Sequence, residues 1–199
     1  MSAAVIAMIG PMTRWGPDAK GRLMQSALEL YAKRGYDQTT VAEIAERAGL
    51  TERTFFRHFA DKREVLFGGS NNLRDLLVGA VSGAPSSAAP IEAVAAGLLA
   101  AEVVFDEERR DYSMQRQSII AANAELRERE LIKMATLASA IADTLRRRGV
   151  PDPAASLTAE AGIAVFRVAF QRWVDADNEL GWSELVRSSL AELKVLVAS

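Results

Sequence analysis

Residues 40–62, TVAEIAERAGLTERTFFRHFADK, confine the chain to a narrow set of folds. Val41, Ile44, Ala45 and Ala48 recur at helical spacing, and the Thr40 side-chain oxygen can cap the helix they form. Gly49 supplies the left-handed backbone that ends it. Thr51 then stands where a second helix needs its cap. Ala45, four residues before the glycine, is small enough for two helices to cross steeply, as a helix-turn-helix requires. In the second helix Phe55 and Phe59 turn inward. Glu52, Arg53, Thr54, Phe56, Arg57 and His58 are left for a face that a partner can meet.

Composition narrows the chemistry. The 199 residues suffice for one large domain or two small ones, and an apolar share of 49% supplies a core. With no cysteine and a single histidine, disulfides, thiolate metal sites, cysteine nucleophiles and imidazole-based triads are poorly supplied. No Gly-rich phosphate loop or metal-ligand spacing is present, so neither cofactor nor metal is expected and an enzyme is disfavoured. The net charge of −2 is unevenly placed: residues 1–67 carry ten basic against eight acidic side chains, the remainder fourteen against eighteen. A locally basic segment can still attract phosphates, because the attraction acts over about 8 Å at physiological salt. No apolar run is long enough to span a membrane, and residues 1–12 read as a disordered tail without signal-peptide character.

The remaining elements also read as helices. Leu23, Ala27, Leu30 and Tyr31 form the stripe of a first helix over residues 17–34, with Pro17 in its first turn and Gly35 at its end. Arg14, Lys20 and Arg22 lie at its start. Asp61, with Glu64 three residues on, opens a helix expected to reach residue 81, interrupted by Gly68 and Gly69. Residues 82–90, SGAPSSAAP, form a loop. Further helices are expected over 91–106, 111–121 and 123–148, with Asn123 capping the last of these and Arg146, Arg147 and Arg148 suited to its negative end. The final pair, 153–177 and 182–197, is apolar on more than one face: Ala161, Ile163, Ala164, Val168 and Ala169 in one, Leu185, Val186, Leu190, Leu193 and Leu196 in the other. One chain has few elements left to cover them, so a homodimer through these two helices is expected.

The run Thr54-Phe55-Phe56-Arg57-His58-Phe59 with Lys62 resembles the DNA-binding segment of the TetR family of bacterial regulators. That family often has Tyr where Phe56 stands; here only the apolar contact is kept. The resemblance implies an all-α chain with a three-helix DNA-binding domain over residues 13–60 and a helical ligand-binding and dimerisation bundle over 61–199. It implies a cytoplasmic repressor, released from a palindromic operator by a small apolar or amphipathic effector. Thr40, Thr54, Phe56, His58 and Lys62 carry over as DNA contacts. Chemistry adds Arg53, whose guanidinium matches the two acceptors of guanine, and Thr51, whose hydroxyl suits a phosphate. Phe105, Tyr112, Gln115, Phe166 and Phe170 are candidate walls and anchors of an effector pocket. An activator, a ligand-independent DNA-binding protein and a helical adaptor are the alternatives.

Overall fold

The computed structural model describes residues 18–198; the expected tail, Arg14 and Pro17 lie outside them. Among the described residues every regular element is helical, and the chain divides into two compact units between Asn72 and Leu73.

The first unit contains α1 (Ala19–Arg34), α2 (Val41–Arg47), α3 (Glu52–His58) and a 3-10 turn (Glu64–Phe67). Asp18 caps α1, its carboxylate accepting the N–H groups of Lys20 and Gly21 at 3.0 and 3.1 Å. The helix expected from Asp61 onward is not continuous. Asp61 accepts the N–H groups of Arg63 and Glu64, which folds the backbone into the tight turn, and Val65, Leu66 and Phe67 are buried there. At Gly68 a side chain would meet Met24 Sδ at 2.7 Å and Phe59 Cε1 at 3.1 Å, so the Met24 side chain packs where only a glycine leaves it undisturbed. A new helix, α4 (Ser70–Gly83), starts after Gly69, and the boundary between the units falls in its first turn.

The second unit continues with α5 (Pro90–Ala100), 3-10 turns at Ala101–Val103 and Glu107–Arg109, α6 (Arg110–Ala122), α7 (Ala124–Arg147), α8 (Ala154–Trp173) and α9 (Trp182–Ala198). Its core joins Leu77 and Val81 of α4, Val94 and Leu98 of α5, Ile141 and Leu145 of α7, Phe166 and Trp173 of α8, and Trp182 and Leu185 of α9. The α5 helix stops short of its expected end at residue 106. The buried indole N–H of Trp182 donates to the Leu98 carbonyl at 2.8 Å, an acceptor that a continuing helix would use, and the chain tightens into 3-10 geometry. Asn123 does not cap α7 with its side chain; its Nδ2 donates backwards to the Ile119 carbonyl at 2.6 Å, at the end of α6.

The apolar surplus of the last two helices is smaller than expected, because Ile163, Ala169, Leu185 and Val186 are buried within the chain itself. What stays outside lies on both helices, with Val195 (69% exposed), Leu196 (73%) and Val197 (77%) at the end of α9. Leu157 (66% exposed) and Val168 (48%) lie on one stripe of α8 with Ala161 and Ala164, spaced by four, three and four residues.

Two glycines set how closely the helices approach. A side chain at Gly97 of α5 would meet Val81 Cγ2 at 2.9 Å and the Leu77 carbonyl oxygen at 3.2 Å; at Gly162 of α8 it would meet Val94 Cγ1 at 2.4 Å. Filling such a contact forces neighbours off their rotamers or shifts the backbone. A Gly162→Val variant is therefore expected to lose about 1–3 kcal/mol of stability, measured by denaturant unfolding.

Candidate nucleic-acid interface

Residues 40–62 form two seven-residue helices on either side of a turn. Thr40 opens α2 with a reciprocal cap: its Oγ1 accepts the Glu43 N–H at 3.2 Å, while the Glu43 carboxylate accepts the Thr40 N–H at 2.9 Å. The partner Glu43 is absent from the sequence reading, although the T-x-x-E spacing is its signal. These bonds to Thr40, together with the Arg34 guanidinium 2.8 Å away, hold the Glu43 carboxyl below the usual glutamate range. Two backbone bonds close the far end of α2, Leu50 N–H to the Ala45 carbonyl (2.8 Å) and Gly49 N–H to the Glu46 carbonyl (2.9 Å). This is a Schellman termination, and Gly49 meets its left-handed requirement with φ +65°. Thr51 then caps α3 by accepting the Thr54 N–H at 3.2 Å.

α3 is held from one side only. Phe55 is fully buried and Phe59 nearly so, their rings 5.4 Å apart. On the other side Arg53 and Arg57 are exposed and Thr54 is half-buried, its hydroxyl 3.1 Å from that of Thr51. Phe56 stacks edge-on against Phe55 but keeps 55% of its surface in solvent. An exposed phenylalanine between two exposed arginines is an unusual use of apolar surface in a short helix. His58 is half-buried, with its Nε2 enclosed and lacking a hydrogen-bond partner.

Lys62 has a structural place as well. Its ammonium donates to the carbonyls of Tyr36 (3.0 Å) and Thr39 (3.3 Å) and lies 4.2 Å from the centre of the Tyr36 ring. Its own carbonyl accepts the Tyr31 hydroxyl at 2.8 Å, and burial raises the pKa of that hydroxyl, which keeps it a donor. Lys62 thereby joins the end of the helix-turn-helix to α1 and to the loop before α2. Glu29 of α1 accepts from Gln25 and from Arg47 of α2, a second brace.

In the second unit the structure brings Phe105, Phe166 and Phe170 together. The Phe105 ring lies 5.7 Å from each of the other two, and Trp173 and Trp182 complete the cluster at 5.3 and 4.2 Å from Phe105. Gln115 is exposed on α6. Tyr112 is half-buried; its hydroxyl is enclosed without a hydrogen-bond partner, and burial raises its pKa. Among the described residues no group of acidic or histidine side chains is arranged to hold a metal ion, and no helix is long and apolar enough to cross a membrane.

Comparison with known proteins agrees with this geometry. The family model described as bacterial regulatory proteins, tetR family, matches residues 23–67, and that described as MftR C-terminal domain matches residues 88–197. The chain belongs to the TetR family. This is a family of DNA-binding transcriptional regulators that are not enzymes. The chain is similar to the regulator TcmR of Streptomyces glaucescens, with 35% identity over 95 residues covering 42% of each chain. It is also similar to MftR of Mycobacterium tuberculosis, with 30% identity over 122 residues covering 61% of each. The matches thus span about half the length of these relatives. Among solved structures, a transcriptional regulator from Pseudomonas aeruginosa PAO1 shares the fold with a TM-score of 0.61, 17% identity and 95% of each chain covered.

The two caps make separate predictions. Thr51→Ala removes the bond that starts α3 and should cost about 1 kcal/mol, read by chemical denaturation. Glu43 has a lowered pKa in the folded state, so its contribution is present above the ordinary glutamate range and is lost as pH falls through the folded pKa. Acid unfolding of Glu43→Gln should accordingly be less steep than that of the parent chain.

Proposed function

We infer that the chain is a homodimeric transcriptional repressor that binds a palindromic operator through α3 and leaves it when a small apolar or amphipathic effector binds the second unit. The observation that carries this reading is the outward face of α3, where Arg53, Phe56 and Arg57 are exposed on a helix fixed from behind by Phe55. A helix presented in this way fits the major groove. Arg53 pairs with guanine, Thr54 and Phe56 meet thymine methyl groups or sugars, and Thr40 and Thr51 flank the groove toward phosphates; His58, with Nε2 enclosed, and Lys62, whose ammonium already serves the Tyr36 and Thr39 carbonyls, would meet phosphates through the other ring nitrogen and the remaining N–H. Family membership supports the same assignment of the segment.

Two copies joined through α8 and α9 would present two such helices to an inverted repeat, and the exposed Leu157–Val168 stripe supports that face. The effector would enter beside the aromatic cluster of Phe105, Phe166 and Phe170, with Tyr112 as a polar anchor. Release follows only if the effector prefers a dimer that fits the operator poorly. Reciprocity then requires operator binding to weaken effector binding.

Selection from randomised duplex DNA at moderate salt tests the reading, since low salt lets non-specific phosphate attraction mask preference. An enriched inverted repeat is expected; retention without a consensus would overturn sequence reading. On the selected site, Arg53→Ala should cost about 1–3 kcal/mol and relax preference at one base pair in each half-site. Unchanged affinity and preference would remove Arg53 from the reading surface.

A further inference from the structure

The helix α4 starts in the first unit and ends in the second, and its last turn carries no basic side chain to meet its exposed carbonyls. The cation comes from elsewhere. Arg148, the C-cap residue of α7, donates from Nη1 to the carbonyls of Ser82 (3.2 Å) and Ala84 (2.7 Å) and from Nη2 to that of Pro85 (2.8 Å). One guanidinium thus satisfies acceptors at the end of α4 and in the loop after it, where Pro85 offers no donor of its own. The backbone of Arg148 is itself fixed by the Schellman closure of α7, with Gly149 N–H on the Arg146 carbonyl (2.9 Å) and Val150 N–H on that of Leu145 (3.1 Å). Nearer the middle of α4, Gly97 brings α5 against Leu77 and Val81.

We propose that Arg148 is the positioning residue that couples the end of α7 to α4, so that a change in the helices of the second unit is carried into the helix leading to the first. The neighbouring arginines do not share this role. Arg146 pairs with Asp143 and Asp152, and Arg147 donates to Thr144. A fork of parallel donors holds several carbonyls at once, whereas a lysine in its place offers a single ammonium.

This role rests on the operator-binding reading, and hydrogen exchange of the full-length chain with and without the selected operator duplex tests the two separately. In the parent chain, operator binding is expected to slow exchange over residues 77–89. In Arg148→Ala, the basal exchange of residues 84–89 should rise about tenfold, the operator-dependent change there should vanish, and operator affinity should stay within about twofold. Arg148→Lys should restore part of the operator-dependent change. An operator-dependent change that persists in Arg148→Ala would reduce Arg148 to a local staple and leave the DNA-binding reading intact. Failure of the parent chain itself to bind the duplex would overturn both.

Discussion

A helix of seven residues has too few internal hydrogen bonds to persist in water without tertiary support. Everything that α3 presents outward therefore depends on how it is held from behind. Phe55 provides most of that hold, being fully buried, with Phe59 at its side. Thr51 and Gly49 set where the helix begins and the angle at which it leaves α2. Because these supports lie on the inner face or at the ends, Arg53 and Arg57 and the outer part of Phe56 are left exposed and available for recognition. The same economy explains Lys62 and Tyr31. Their polar groups close the frame around the helix-turn-helix, while the Tyr31 ring is buried in the core against Tyr36.

The second unit is governed by a different constraint. Its helices approach closely at Gly97 and Gly162, and the polar groups left at helix ends are satisfied by side chains distant in sequence. Trp182 reaches the Leu98 carbonyl, and Arg110 reaches carbonyls of Asp175 and Asn178 in the loop before α9. Arg148 does the same for the end of α4. The Leu98 carbonyl is buried, where leaving it unpaired costs about 1–3 kcal/mol; the bonds from Arg110 and Arg148 are more exposed and hold their loops less firmly.

Much of the first unit was legible because its signals are local. Caps at Thr40 and Thr51, the turn at Gly49 and the inward pair Phe55 and Phe59 all act within a few residues, and the structure has each of them in place. The helices of the second unit were legible as elements, since Gly, Pro and apolar spacing mark their ends. Where expectation and structure part, a side-chain hydrogen bond that apolar spacing does not reveal stands at the break. The helix expected from Asp61 gives way to a tight turn bonded to the Asp61 carboxylate, α5 ends where Trp182 takes the Leu98 carbonyl, and the Asn123 side chain serves α6 rather than α7. Periodicity reported that α8 and α9 are apolar on several faces but not which face the chain covers itself. Ile163 and Leu185 are spent inside, Leu157 and Val168 outside. The effector candidates divide similarly: three phenylalanines meet, while Gln115 is exposed.

Two copies of α3 acting as one symmetric reader require a fixed distance between the half-sites they meet. Titration of the chain onto a series of inverted repeats differing only in the distance between half-sites measures this directly. Tight binding, two chains per duplex, is expected at one spacing near a whole helical turn, with affinity falling on either side and an isolated half-site bound far more weakly. Equal affinity for a single half-site and for every spacing would contradict it.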